Sequence, residues 1–239
     1  MPAKMSAMNS PALGYYSNAN PTLLEVVEPD ARRIVEFGCG AGALARAVRQ
    51  THPQVHYTGV ELMPEQLDLA RDALDMALAR NLDQVGDWSL DLELAQALPP
   101  ASFDHVIFGD VLEHLYNPAR ALAQAVQCLR PKGSALVCIP NVQHWSVLAQ
   151  LILGHWPQQD AGLFDRTHIR WFTLQDMVHL LQGAGLVVER VVPRIFQPEA
   201  GQPLLQALSP AATLLGVDPD KLQKLALPLQ YVLVGRKPG

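Results

Sequence analysis

The segment Ile34-Val35-Glu36-Phe37-Gly38-Cys39-Gly40-Ala41-Gly42, which runs straight into an alanine-rich helical pattern, constrains the fold more than any other part of the chain. Four residues suited to a buried strand precede three glycines at alternate positions, so every second side chain is missing where the chain turns. Main chain can then approach a ligand closely, and the helix that follows offers unpaired N–H groups in its first turn. A cofactor phosphate or carboxylate would suit those groups, but Glu36 stands two residues before the first glycine. Its charge would repel a pyrophosphate and attract a cationic amine or sulfonium in a desolvated crevice.

Beyond this turn, strands alternate with helices, a pattern that favours a parallel sheet covered on both faces. Strands are expected over 34–37, 55–62, 83–88, 103–110, 134–140, 186–195 and 229–236. Helices are expected over 42–51 and from Pro64 through Leu67, Ala70, Leu74 and Leu78. Others follow near 90–98, over 119–130 after the Asn117-Pro118 start, and over 142–154. Thr173 and Asp176 form a capping box for a helix ending near Gly183 and Gly185. No simple crossover helix separates the last two strands, which leaves room for an antiparallel edge hairpin carrying an insertion.

At 239 residues, 49% hydrophobic and 17% charged, the chain suits a single domain over 1–239. Within it, 1–30 reads as an N-terminal lid or helix, and 142–172 and 197–227 as acceptor-side or oligomer insertions. The net charge of −5 and the lack of a long basic run argue against a nucleic-acid partner. No stretch has signal-peptide character or the roughly 18 uninterrupted apolar residues of a membrane span, so a cytoplasmic protein without membrane insertion is expected. Cys39, Cys128 and Cys138 are widely spaced and read as buried thiols. The apolar segment 203–217 suits a homodimer surface or a pocket wall.

The succession VEFGCGAG, GVEL, GDW, FDHVIFGDVLEHL and LRPKGSALVCIPN resembles the class I S-adenosylmethionine-dependent methyltransferases over residues 15–196. The stretch from IPNVQHW to THIRWFT is similar to a bacterial subgroup acting in surface-glycan and other small-molecule pathways. The resemblance implies a Rossmann-like α/β fold: a seven-stranded, mostly parallel sheet with helices on both faces and an antiparallel last strand. It also implies S-adenosylmethionine as cofactor, S-adenosylhomocysteine as product and a small-molecule methyl acceptor.

On that reading Glu36 faces the methionine amine, and Gly38, Cys39 and Gly40 pass beside the cofactor. Glu61, ending the second strand, accepts the ribose hydroxyls, or is a solvated strand end. Leu62 and Met63 sandwich the adenine, or are core. The family places an acid at the third strand end against the adenine amine, here Asp87, with Trp88 covering the base edge; Asp87 would alternatively cap a turn. Asp110 and Val111 lie at the mouth near the sulfonium, and Tyr15 and Tyr16 fold over the cofactor or pack as an ordinary N-terminus.

Methyl transfer is mainly a matter of alignment, and a hydroxyl acceptor must also lose a proton, for which histidine is the usual agent. His114, His144 and His168 fall in acceptor-side segments, His114 being the first choice as base. Asp165, Arg166 and Arg170 read as ties, to one another or to neighbouring carbonyls, that fix an irregular loop, with direct substrate contact as the alternative. No metal is expected, since the fifth strand ends in Pro140 and Asn141 without a neighbouring Asp. Three other readings compete: N-methylation of an amine or macromolecule, a cofactor-binding regulator without turnover, and an NAD-dependent dehydrogenase. Glu36 and the missing later glycine of GxGxxG weigh against the last.

Overall fold

The buried run before the glycine turn forms β1 (Arg33–Phe37), which pairs in parallel with β2 (His56–Glu61) on one side and β4 (Phe103–Gly109) on the other. β3 (Met76–Ala79) extends the sheet beyond β2, and β5 (Leu129–Pro140) extends it beyond β4, both in parallel. β7 (Pro228–Arg236) inserts antiparallel between β5 and the edge strand β6 (Val187–Ile195). The order is β3-β2-β1-β4-β5-β7-β6, the seven-stranded, mostly parallel sheet with an antiparallel last strand that the sequence leads one to expect. The structure, a computed structural model, describes residues 19–239; Tyr15 and Tyr16 lie outside them.

The two faces follow from the period of the strands. Val35, Phe37, Val106 and Phe108 join one buried cluster with α5 (Pro118–Cys128) and α7 (Leu174–Gly183). Ile34, Ile107, Leu136 and Cys138 join the other, with α1 (Pro21–Glu25) and α2 (Ala43–Thr51). Helix starts obey local chemistry: the Asn117 side chain accepts from Arg120 N at 3.0 Å, and the Thr173–Asp176 capping box is present in full.

One element differs from the sequence reading. The helix opened by Pro64 stops early, as α3 (Pro64–Ala70), and the chain returns as β3 rather than pairing over 83–88. Tertiary ties override the helical spacing of Leu74 and Leu78. Asp75 exchanges bonds with Tyr57 on β2 (N–H to Tyr57 O at 2.9 Å, Oδ2 from Tyr57 N at 2.7 Å), and Arg49 of α2 reaches Ala73 O at 2.6 Å. These contacts lay 76–79 against the sheet edge.

The chain from 141 to 173 carries α6 (Trp145–Ile152) and then an irregular loop. The loop is tied down by backbone bonds from Ile169 N and Arg170 N to Glu113 O, both 3.0 Å, and by Arg170 Nη2 to Tyr116 O at 2.7 Å. Arg166 pairs with Asp160. The ties expected of Arg166 and Arg170, to one another or to nearby carbonyls, are made to Asp160 by Arg166 and to the carbonyls of Ile169 and Tyr116 by Arg170. α4 (Leu92–Ala97) follows β3, while α8 (Pro198–Leu214) and α9 (Pro219–Ala226) fill the connection between β6 and β7. No helix among the described residues is long and apolar enough to cross a membrane.

Asp104, at the start of β4, joins three elements at the opposite edge of the sheet: Oδ2 accepts from Arg32 N and Arg33 N at 2.7 and 2.8 Å, and Oδ1 pairs with Arg130. Burial opposes its charge, but these donors prevail and hold its carboxyl below the usual range. Asp104→Ala is expected to cost about 1–3 kcal/mol in urea denaturation at pH 7. Because the folded-state pKa is depressed, the difference is present above about pH 4 and shrinks as pH falls through the folded value. A difference that does not change with pH would contradict this account.

Candidate active site

A cavity of about 1160 Å³ opens at the carboxyl ends of β1, β2, β4 and β5, large enough for a nucleotide-sized cofactor and a second small molecule. Its floor is the glycine turn, where Gly38, Gly40 and Gly42 hold φ of 71°, 50° and 80°. A methyl group at Gly38 would stand 2.3 Å from Val111 Cγ2, whereas one at Gly40 would meet nothing within 4 Å. Gly40 therefore leaves main chain bare toward open cavity space. Cys39 and Val111 line the same wall.

Two carboxylates face this floor. Glu36 is buried, its Oε2 accepting from Tyr57 OH at 2.9 Å, and burial pushes its carboxyl up to about 8 against that hydrogen bond, with Glu61 adding to the rise. Such a group is ionised at neutral pH only when a cation sits beside it. Glu61 is no solvated strand end: it is nearly buried, Oε2 accepts from Gly40 N and Oε1 from Met63 N, both at 2.9 Å, and these bonds aim the carboxylate. Beside it Leu62 and Met63 line the cavity with 56% and 51% of their surfaces exposed, so they are not core. Asp110 adopts a left-handed φ of 56°, costly for a non-glycine residue, and accepts from Gln230 Nε2 at 2.5 Å.

Asp87 and Trp88 do not line the cavity. Because β3 is 76–79, the strand end falls at Arg80–Asp83, and Asn81, Leu82 and Asp83 take the lining positions instead. Asp87 accepts from Ser89 N at 2.9 Å as a turn cap, and Trp88 is buried against Phe37 at 5.1 Å. The sequence signal for this was available: the apolar four, Met76 to Ala79, followed within four residues by the acid Asp83. His144 is also outside. Its Nδ1 accepts from Ser146 N at 3.3 Å at the start of α6, and burial lowers its pKa to about 4. None of 203–217 lines this cavity, so the pocket-wall reading of that segment does not apply here.

At another wall of the cavity the structure brings Glu113 and His114 together with His168, a meeting that sequence distance conceals. Leu112–His114 is a single 3-10 turn after β4, and it places Glu113 and His114 against His168 of the long loop. Glu113 is fully buried and, among the described residues, neither carboxylate oxygen has a hydrogen-bond partner. His168 Nε2 lies 3.9 Å from Glu113 Oε1, the two imidazoles are 4.7 Å apart, and one ligand atom from each of the three residues falls within 4.8 Å of the others. The His114 Nδ1 faces Thr167 O at 3.2 Å and Thr167 Oγ1 at 3.0 Å, and Thr167 Oγ1 donates to Asp165 at 2.6 Å. Donation from Nδ1 to the carbonyl leaves the lone pair on Nε2.

The electrostatics of this cluster are unbalanced. Burial, then the charges of Asp110 and Asp165, raise the Glu113 carboxyl well above the ordinary range. Burial lowers His114, and burial with the neighbouring His114 takes His168 down to about 4. Neutral imidazole nitrogens beside a buried carboxyl without hydrogen-bond partners among the described residues are a donor set that could hold a divalent cation. The sequence expectation of no metal looked to the strand ends, whereas these donors come from the turn and the loop beyond them.

A family model described as a methyltransferase domain matches residues 15–191. A ubiquinone biosynthesis O-methyltransferase of Xanthomonas axonopodis pv. citri is 31% identical over 187 residues, covering 75% of this chain and 74% of the relative. One from Idiomarina loihiensis is 26% identical over 200 residues, covering 81% and 75%. Among solved structures, a SAM-dependent methyltransferase from Archaeoglobus fulgidus superposes with a TM-score of 0.58 at 15% identity over 87% of each chain, a likeness of fold. With the glycine turn, the two aimed carboxylates and the sheet order already in place, these matches settle the family: the chain belongs to the methyltransferase-domain family and is a class I S-adenosylmethionine-dependent methyltransferase.

Proposed function

We propose that the protein O-methylates a hydroxyl of a small molecule, with a divalent cation held by Glu113, His114 and His168. The observation that carries this reading is the buried Glu113 carboxylate, both oxygens unpartnered among the described residues, with two histidines turned toward it at the acceptor side of the cavity. The curated relatives, named O-methyltransferases, support oxygen as the acceptor atom.

The residues fit the cofactor. Glu36 receives its ammonium, Glu61 its ribose hydroxyls, Gly38 to Gly40 its main-chain contacts, and Leu62 with Met63 its base, while Asp83 takes the strand-end position read earlier for Asp87. When bound, S-adenosylmethionine supplies a methyl group activated by its sulfonium. A divalent cation, when bound, lowers the pKa of a hydroxyl beside it. The chain's own contribution is alignment: the turn at 112–114 and the tied loop hold the acceptor oxygen at the cavity mouth, which is worth several kcal/mol through positioning alone. Attack by that oxygen forms the O–CH₃ bond as the C–S bond breaks, the sulfur departing with the bonding pair as a neutral thioether, and the hydroxyl proton passes to solvent water at the cavity mouth. Asp165 and Thr167 orient the His114 ring throughout.

Two outcomes are expected. In calorimetry S-adenosylhomocysteine binds and NADH does not, and Glu61→Ala weakens the former by about 1–3 kcal/mol; binding of NADH alone would sink the cofactor assignment. In a Mn²⁺ titration the wild-type protein binds one ion, and Glu113→Gln and His168→Ala each weaken it tenfold or more, with S-adenosylhomocysteine affinity within twofold of wild type. Equal Mn²⁺ affinity in all three proteins would remove the cation from the mechanism.

A further inference from the structure

The half of the cavity over β5, β7 and β6 holds a cation that methyl transfer, as described, does not use. Arg194, near the end of β6, lines the cavity and is half-buried. It is the register partner of Gln230 on β7, so the two side chains share a face, and its Nη1 donates to Gln230 Oε1. Gln230 in turn donates to Asp110 at 2.5 Å. Amide and guanidinium are thereby held in one orientation, and the guanidinium lies 5.3 Å from the Phe196 ring centroid.

Arg80 also lines the cavity, but Asp91 and Glu93 neutralise it. Among the described residues, Arg194 has no carboxylate within ion-pair distance. A guanidinium fixed beside an aromatic ring, with no counter-ion, presents donors matched to an oxyanion. The other walls here, Pro140, Leu229 and Phe196, are apolar. That combination suits a ring or chain bearing a single negative group.

We propose that Arg194 is the specificity-determining residue of the acceptor half and binds a carboxylate carried by the methyl acceptor. This rests on the cavity assignment above. The cofactor's own carboxylate is the other source of the same chemistry, and geometry disfavours it. In methionine the amine and carboxylate share one carbon, so an amine at Glu36 keeps the carboxylate near β1. Arg194 itself is carried by the edge strand β6, the last in the order β1-β4-β5-β7-β6, and its side chain reaches back through Gln230 only as far as Asp110, just past β4.

The test uses full-length protein saturated with S-adenosylhomocysteine, titrated with benzoate and with benzamide as a charged and neutral pair of one shape. Benzoate is expected to bind wild type, to bind Arg194→Gln at least tenfold more weakly, and to recover partly with Arg194→Lys, while benzamide does not distinguish the three. Benzoate that fails to bind wild type, or binds wild type and Arg194→Gln alike, overturns the proposal. So does a tenfold loss of S-adenosylhomocysteine affinity in Arg194→Gln with 5′-methylthioadenosine unaffected, which would assign the arginine to the cofactor's carboxylate. Failure of wild type to take S-adenosylhomocysteine at all would be a failure of the cavity assignment itself.

Discussion

A carboxylate taken out of water must find a proton, hydrogen-bond donors or a cation, and this constraint organises the carboxyl edge of the sheet. Glu36, Glu61 and Glu113 are all buried or nearly so within one cavity, and each meets the requirement differently. Glu61 is supplied with two backbone N–H donors by the glycine turn and by Met63. Among the described residues, Glu36 has the Tyr57 hydroxyl alone, and the Glu113 carboxylate oxygens have no hydrogen-bond partner, with His168 the nearest nitrogen at 3.9 Å. The fold thus fixes three acidic positions and completes only one of them internally. On the function proposed here, the other two are left for ligands to complete: an ammonium at Glu36 and a divalent cation at Glu113.

The placement of these groups depends on elements far from the chemistry. β4 carries Asp104 at one end, anchoring the amino edge, and Asp110 at the other, turned into a left-handed conformation that directs the 112–114 turn over the cavity. The Glu113 backbone carbonyl accepts from Ile169 N and Arg170 N while its side chain faces His168. One residue therefore both moors the long loop and meets the histidine that the loop brings. Loss of the mooring would separate the donors without touching any of them, as expected for a site assembled by a tied loop on a rigid sheet.

Much of this was readable from residues. The strand before the glycines, the acid at Glu36, the acid closing the second strand and the capping box at Thr173 rest on local chemistry, and the structure has them as read. The third strand was misread because Leu74 and Leu78 keep a helical spacing, and the ties that decide the matter, Asp75 to Tyr57 and Arg49 to Ala73, link residues about twenty positions apart. Asp87 and Trp88 were carried along with that error. His144 lies outside the cavity lining and caps the start of α6 through Ser146 N, a contact that its sequence neighbours do not announce. The pairing of Glu113 with His168 spans a loop with no periodicity, so no sequence pattern announces it.

The account stands or falls on what completes Glu113. A crystal structure with S-adenosylhomocysteine and Mn²⁺, with diffraction recorded at the manganese absorption edge, tests it most directly. It predicts an anomalous peak bonded to Glu113, His114 and His168, with the carboxylate ionised between them. A map with no peak there, and the Glu113 carboxyl hydrogen-bonded to protein or water as a neutral acid, would contradict it.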